Sequence, residues 1–80
     1  MAETLQPLTR LVARQSAVVA EVRVPGESRA RLLEMGLLAG TPVQLVRFAP
    51  LGDPVELKVR GYYLTLRRHE AERIWVTTEG

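Results

Sequence analysis

Along residues 17–24 the chain alternates, with Val18, Ala20, Val22 and Val24 on one side and Val19, Glu21 and Arg23 on the other. Period-two alternation among β-branched residues predicts a strand with one buried face, the first of these two. Pro25 and Gly26 end it. The period then changes. Ala30, Leu32, Leu33 and Met35 form an apolar stripe at helical spacing, and Ser28 is placed to cap the helix through its hydroxyl. Arg31 stands where a capping box would put Glu or Gln. Gly36 is the expected stop, because glycine enters the left-handed conformation without a Cβ clash. Leu37 would then meet Leu32 across the helix end, and Gly40 supplies a turn.

Residues 42–49 are apolar but out of phase with themselves, Val43 and Leu45 sharing one face, Val46 and Phe48 the other. Such a phase change predicts a bulge or a sharp bend. Pro50-Leu51-Gly52-Asp53-Pro54 is a loop by composition. Val55, Leu57 and Val59 then alternate with Glu56, Lys58 and Arg60. Arg60-Gly61 can turn the chain into Tyr62, Leu64 and Leu66 on the inner face, with Tyr63, Thr65 and Arg67 outside, which predicts a β-hairpin that buries Tyr62. Residues 69–73 make one helical turn, 74–77 a closing strand, and 78–80 fray. Nothing in this order supplies the crossover helices of a parallel sheet. Five short antiparallel strands limit their exposed edges by closing into a small barrel. The expected fold is mainly β: an SH3-like five-stranded barrel with a short helix inserted after the first strand. It forms one domain over residues 1–80, with an ordered core over about 8–77.

Composition adds boundaries to this picture. The 80 residues are 46% hydrophobic and 25% charged, ordinary for a globular domain. The chain starts with methionine and is expected to be complete. It has no cysteine, so neither disulfides nor thiolate metal sites stabilise the core. No segment approaches the roughly 20 apolar residues that span a bilayer. Residues 1–7 lack the basic cluster and apolar run of a signal peptide, so a cytoplasmic protein is expected. Net charge is +2, and Arg60, Arg67, Arg68 and Arg73 are interleaved with Glu56, Glu70 and Glu72. That reads as a mixed solvated surface rather than a nucleic-acid patch.

Several segments together carry a family resemblance. They are Arg31-Leu32-Leu33-Glu34-Met35-Gly36-Leu37, Gly40-Thr41, Ala49-Pro50-Leu51-Gly52-Asp53-Pro54, Leu64-Thr65-Leu66-Arg67-Arg68, Glu70-Ala71 and Ile74-Trp75-Val76. In their order and spacing over roughly residues 8–76 they resemble the FeoA family. The resemblance implies an SH3-like fold and a cytoplasmic accessory protein of bacterial ferrous iron transport, with transition metal ion binding at family level. It also implies association with FeoB, a membrane transporter carrying a cytoplasmic G-protein region. Two positions depart from the family pattern: Arg14 stands where glycine is usual, and Ala39 where proline is usual. Both are turn positions.

Catalysis is not expected. His69 is the sole histidine, and without cysteine there is no Cys–His pair. One histidine cannot supply the two imidazoles and one carboxylate of a common ferrous site, so neither a metal site nor a cofactor is expected. Nucleic acid is not expected either, because no basic surface gathers around Tyr63 or Trp75. Binding a partner protein fits best. The residues expected to carry it are Leu32, Met35 and Leu38 on the helix and its end, and Leu51 on the loop. Arg29, Arg31 and Arg47 are expected to rim that surface. The expected partner is the FeoB G-protein region, with the membrane touched only through FeoB and pairing with a second copy as a further expectation. Two alternatives stand beside this reading: an SH3-like regulatory module acting on a metal-dependent transcriptional regulator, and a small nucleic-acid-binding barrel.

Overall fold

The computed structural model describes residues 3–79. Its six strands are β1 (Glu3–Pro7), β2 (Ser16–Val22), β3 (Pro42–Phe48), β4 (Val55–Val59), β5 (Tyr62–Leu66) and β6 (Ile74–Glu79). A 3-10 turn, Leu8–Arg10, follows β1; helix α1, Gly26–Glu34, follows β2; and helix α2, Arg68–Ala71, follows β5. All strand pairs are antiparallel, in the order β1-β6-β2-β3-β4-β5. The expected mainly β barrel with an inserted helix is therefore present, with one strand more than the pattern predicts.

The extra strand is β1. Its residues are exposed or half-buried, and it is held by main-chain pairing with β6 and by Gln6 Nε2 donating to Thr78 Oγ1 at 3.1 Å. An edge strand held in this way leaves no alternation to read. The same pairing orders Thr78, which is buried opposite Thr4 rather than frayed. Gly80 lies outside the described residues. Just after β1, Leu8 and Leu11 are buried in the core.

Strand β2 buries the opposite face from the one expected over its first half. Ala17 and Val19 point inward while Val18 is exposed. A bulge between Val19 and Glu21 then shifts the phase, so that Val22 and Val24 are buried as the alternation predicts. The anticipated irregularity in β3 is found between Leu45 and Arg47, with Val43 and Leu45 buried and Phe48 packed on the core's margin. In β4, Val55, Leu57 and Val59 are all fully buried. The turn to β5 has φ of +45° at Arg60 and +92° at Gly61, the double left-handed geometry that a two-residue hairpin loop needs.

Helix α1 begins two residues before the cap expected at Ser28. Pro25 is the extended residue that launches it, and Ser28 lies within the first turn with no side-chain cap bond made there. Its end follows the sequence reading closely. Gly36 has φ +102°, its N–H donates to Leu33 O at 3.0 Å, and the Leu37 N–H donates to Leu32 O at 3.1 Å. These are the paired bonds of a Schellman cap, and its apolar contact is between Leu37 and Leu32, both fully buried. Tyr62 closes over this turn. Its hydroxyl donates to the Met35 carbonyl, one of the acceptors that a helix end leaves free. Tyr62 is thus not buried as alternation predicts; it stays 41% exposed, lying across the glycine.

A Cβ at Gly36 would collide with the Tyr62 hydroxyl, whereas one at Gly40, with φ +91°, would meet nothing within 4 Å. Gly36→Ala is therefore expected to destabilise the fold by about 2 kcal/mol and Gly40→Ala by about 1 kcal/mol, the difference measuring the Tyr62 contact. Urea titration of the two variants measures both, and equal losses would mean that Tyr62 contributes nothing at this turn.

Candidate functional site

Of the residues that the sequence points to for partner binding, Leu32 is ruled out as a surface contact. It is 0% exposed and belongs to the central core. The end of α1 turns inward at Gly36, and that turn carries Leu32 under the helix together with Leu37. Met35 is half-buried against the core margin, and Leu38, just beyond the cap, is 50% exposed. With Tyr62 they form a small apolar lip around the Gly36 turn. Tyr62 is the member that sequence reading missed, because strand alternation sends it inward.

Leu51 is 95% exposed at the tip of the 50–54 loop. The loop is firmly held. Ala49 N–H donates to Pro54 O at 3.0 Å and Gly52 N–H to Ala49 O at 2.7 Å. From the start of α2, the Arg68 N–H donates to Asp53 Oδ1 at 3.0 Å, and its guanidinium reaches Gly52 O at 3.3 Å while lying 5.9 Å from the Phe48 ring centroid. Leucine is thus displayed on a rigid support. The loop enters β4 at Val55, whereas Tyr62 pairs with Val59 at the strand's other end. A five-residue strand separates them by about 13 Å. The lip and the Leu51 loop are two spots rather than one surface.

The three expected rim arginines each have partners within the fold. Arg29 Nε donates to Val22 O at 3.3 Å, tying α1 to the end of β2. Arg31 reaches across to Glu70 of α2 and contacts the Met35 sulfur at 3.7 Å. Arg47 pairs with Glu56 at 3.4 Å on the outer face of β3 and β4. Glu70 is the one buried carboxylate among the described residues. Besides Arg31 it accepts the Arg67 N–H at 3.4 Å, at the first turn of α2, so one side chain fixes both helices. A buried charge with two partners is stable where a lone one is not.

His69 is exposed on α2, its neighbour Glu70 is engaged by Arg31, and Glu72 pairs with Arg68 at 3.3 Å. Among the described residues no group of three or more His, Cys, Asp or Glu is placed to hold a metal ion. No helix among them is long and apolar enough to cross a membrane. Each outward aromatic has one cation beside it: Arg23, which also pairs with Glu21, lies 4.3 Å from the half-buried Trp75 ring centroid, and Lys58 lies 5.9 Å from that of the exposed Tyr63.

Comparison with known proteins gives this geometry a context. The model of the FeoA domain matches residues 6–78. A curated relative, the Fe(2+) transport protein A/Fe(2+) transporter FeoB fusion protein of Porphyromonas gingivalis, is 39% identical over 69 residues. That match takes in 86% of this chain but only 8% of the fusion protein's length. The FeoA protein of Chlorobium tepidum superposes with TM-score 0.88 at 41% identity, over 94% of this chain and 71% of that one. Stenotrophomonas maltophilia FeoA, solved as a zinc complex and described as a procaryotic SH3 domain protein, superposes with TM-score 0.76 at 32% identity, over 89% and 88% of the two chains.

Two substitutions separate the roles assigned above. Leu32→Gln buries an amide in the core and is expected to destabilise the protein by on the order of 3–4 kcal/mol. Glu70→Gln keeps the shape but removes the charge facing half-exposed Arg31, with an expected loss of about 1–2 kcal/mol. Combined with Arg31→Met in a double-mutant cycle, it should show coupling; strictly additive losses would contradict the pairing.

Proposed function

Because the chain belongs to the FeoA domain family, a family associated with FeoB-dependent ferrous iron transport, we propose that it is a non-enzymatic accessory module that binds FeoB and modulates its transport or GTPase activity. The observation that carries this reading is the fusion relative, in which a domain 39% identical to this one is joined to the transporter within one polypeptide. Covalent joining holds two domains at high effective concentration, the arrangement expected of parts that work in contact. On this reading the module acts at the cytoplasmic G-protein region and meets the membrane only through FeoB.

Two features of the surface support docking. Leu51 is an apolar side chain held in solvent on a pinned loop, and Met35, Leu38 and Tyr62 offer a second apolar spot at the helix end. Neither spot needs rearrangement before contact, which lowers the ordering cost of association. Their separation favours a two-point contact. Docking alters the transporter's nucleotide cycle only so far as the module binds its nucleotide states unequally.

Titrating the protein against the cytoplasmic portion of its cognate FeoB, with GDP, with a GTP analogue and without nucleotide, tests this directly. Saturable binding that differs between nucleotide states is expected. Leu38→Asp and Leu51→Asp should each weaken it about tenfold, in line with loss of a buried apolar anchor, without lowering the melting temperature. Absence of binding in every nucleotide state, to the soluble portion and to full-length FeoB in membranes, would overturn the proposal.

A further inference from the structure

The outer face of β3, β4 and β5 carries a row of side chains that the fold does not use. Gln44, Lys58 and Tyr63 stand side by side in register across the three strands. With Arg14, Val46 and Arg47 they line a shallow groove of about 470 Å³. A second depression shares Gln44 and Lys58 and runs on to Arg60 at the hairpin turn. Four cations therefore follow one strip. Neither lining contains a carboxylate, and Arg47 pairs with Glu56 at 3.4 Å. Among the described residues Arg14, Lys58 and Arg60 form no ion pair.

Arg14 is the most telling member. Its backbone has φ +71°, a conformation that disfavours side chains, yet the residue is arginine. The main chain there is locked to β3: its N–H donates to Leu45 O at 2.6 Å, and its carbonyl accepts from Gln44 Nε2 at 2.9 Å. Glycine would satisfy those bonds without strain. A long cation at a strained position lining a groove of cations points to a use for the charge.

We propose that this groove binds an extended acidic peptide segment of a partner protein. Three strands about 4.8 Å apart make the strip about 10 Å wide, the length of three to four extended residues. Carboxylates of such a segment complement Lys58 together with Arg14 and Arg47 on its β3 side and Arg60 at the hairpin turn. A nucleic-acid strand fits less well: Tyr63 is the one aromatic in the groove, and Lys58 already lies by its ring. A flat lipid surface fits less well still, because the cations line a concavity that no exposed leucine borders.

The test is fluorescence anisotropy with a labelled octa-glutamate peptide, at low and at physiological salt. Saturable binding that weakens with salt is expected. Arg14→Gly should weaken it about three- to fivefold and Lys58→Glu about tenfold. Arg14→Gly suits the test because glycine accepts the backbone geometry, so its melting temperature should equal or exceed the parent's. No peptide binding, or binding undiminished in both variants, would overturn the proposal. So would tighter binding of an eight-residue oligothymidylate or of phosphatidylserine vesicles.

Discussion

Several contacts of the molecule converge on the left-handed residue that ends helix α1. With φ +102° at Gly36 the chain reverses so that Leu37 enters the core beside Leu32, while Leu38 remains in solvent. The missing Cβ leaves room for Tyr62 to lie across the turn and satisfy the Met35 carbonyl, which fixes the β4–β5 hairpin against the helix. The chain then runs on through Gly40, whose N–H donates to Val19 O at 2.7 Å, and Val19 in turn donates to Thr41 O at 2.9 Å. One backbone conformation thus couples helix, hairpin and the entry to β3. It also decides which leucines are structural and which are free to meet another molecule.

Charge secures the other side of the helix. Glu70 is buried, and its partners are Arg31 of α1 and the N–H of Arg67, the residue that precedes α2. Because α2 also anchors the 50–54 loop through Arg68, the order of that loop depends indirectly on a carboxylate two residues further along the chain. The apolar lip and the displayed leucine are supported by different means, a glycine cap in one case and an ionic hinge in the other.

What the sequence made legible were features with a single physical cause. Gly36 reads as a helix stop, Arg60-Gly61 as a tight turn, and the phase break around Val46 as a bulge or a sharp bend. Leu51 between two prolines could be read as exposed because nothing nearby could cover it. The misreadings all depend on tertiary context. The bulge after Val19 inverts the first half of β2, and a period-two pattern cannot reveal where a bulge falls when both faces carry valine. Strand β1 is held by its backbone, so its side chains give no signal. Leu32 and Leu33 are adjacent on a helix, and only the direction of the Gly36 turn decides which one the core takes. The cations along the outer sheet face are scattered in sequence, from Arg14 to Arg60, and they come together through strand register and through the turns that carry Arg14 and Arg60.

The pairing of β1 with β6 sets Glu3 opposite Glu79 in the ladder. Residues opposed in an antiparallel pair lie about 5 Å apart, so the chain enters and leaves the domain at practically one point. Such a unit can be spliced into a surface loop of a larger polypeptide, or hung from either of its ends, with almost no stretch imposed on the host. Portability of this kind is a property of the hydrogen-bond ladder rather than of any surface residue, and it makes covalent attachment to other domains an undemanding step for this fold.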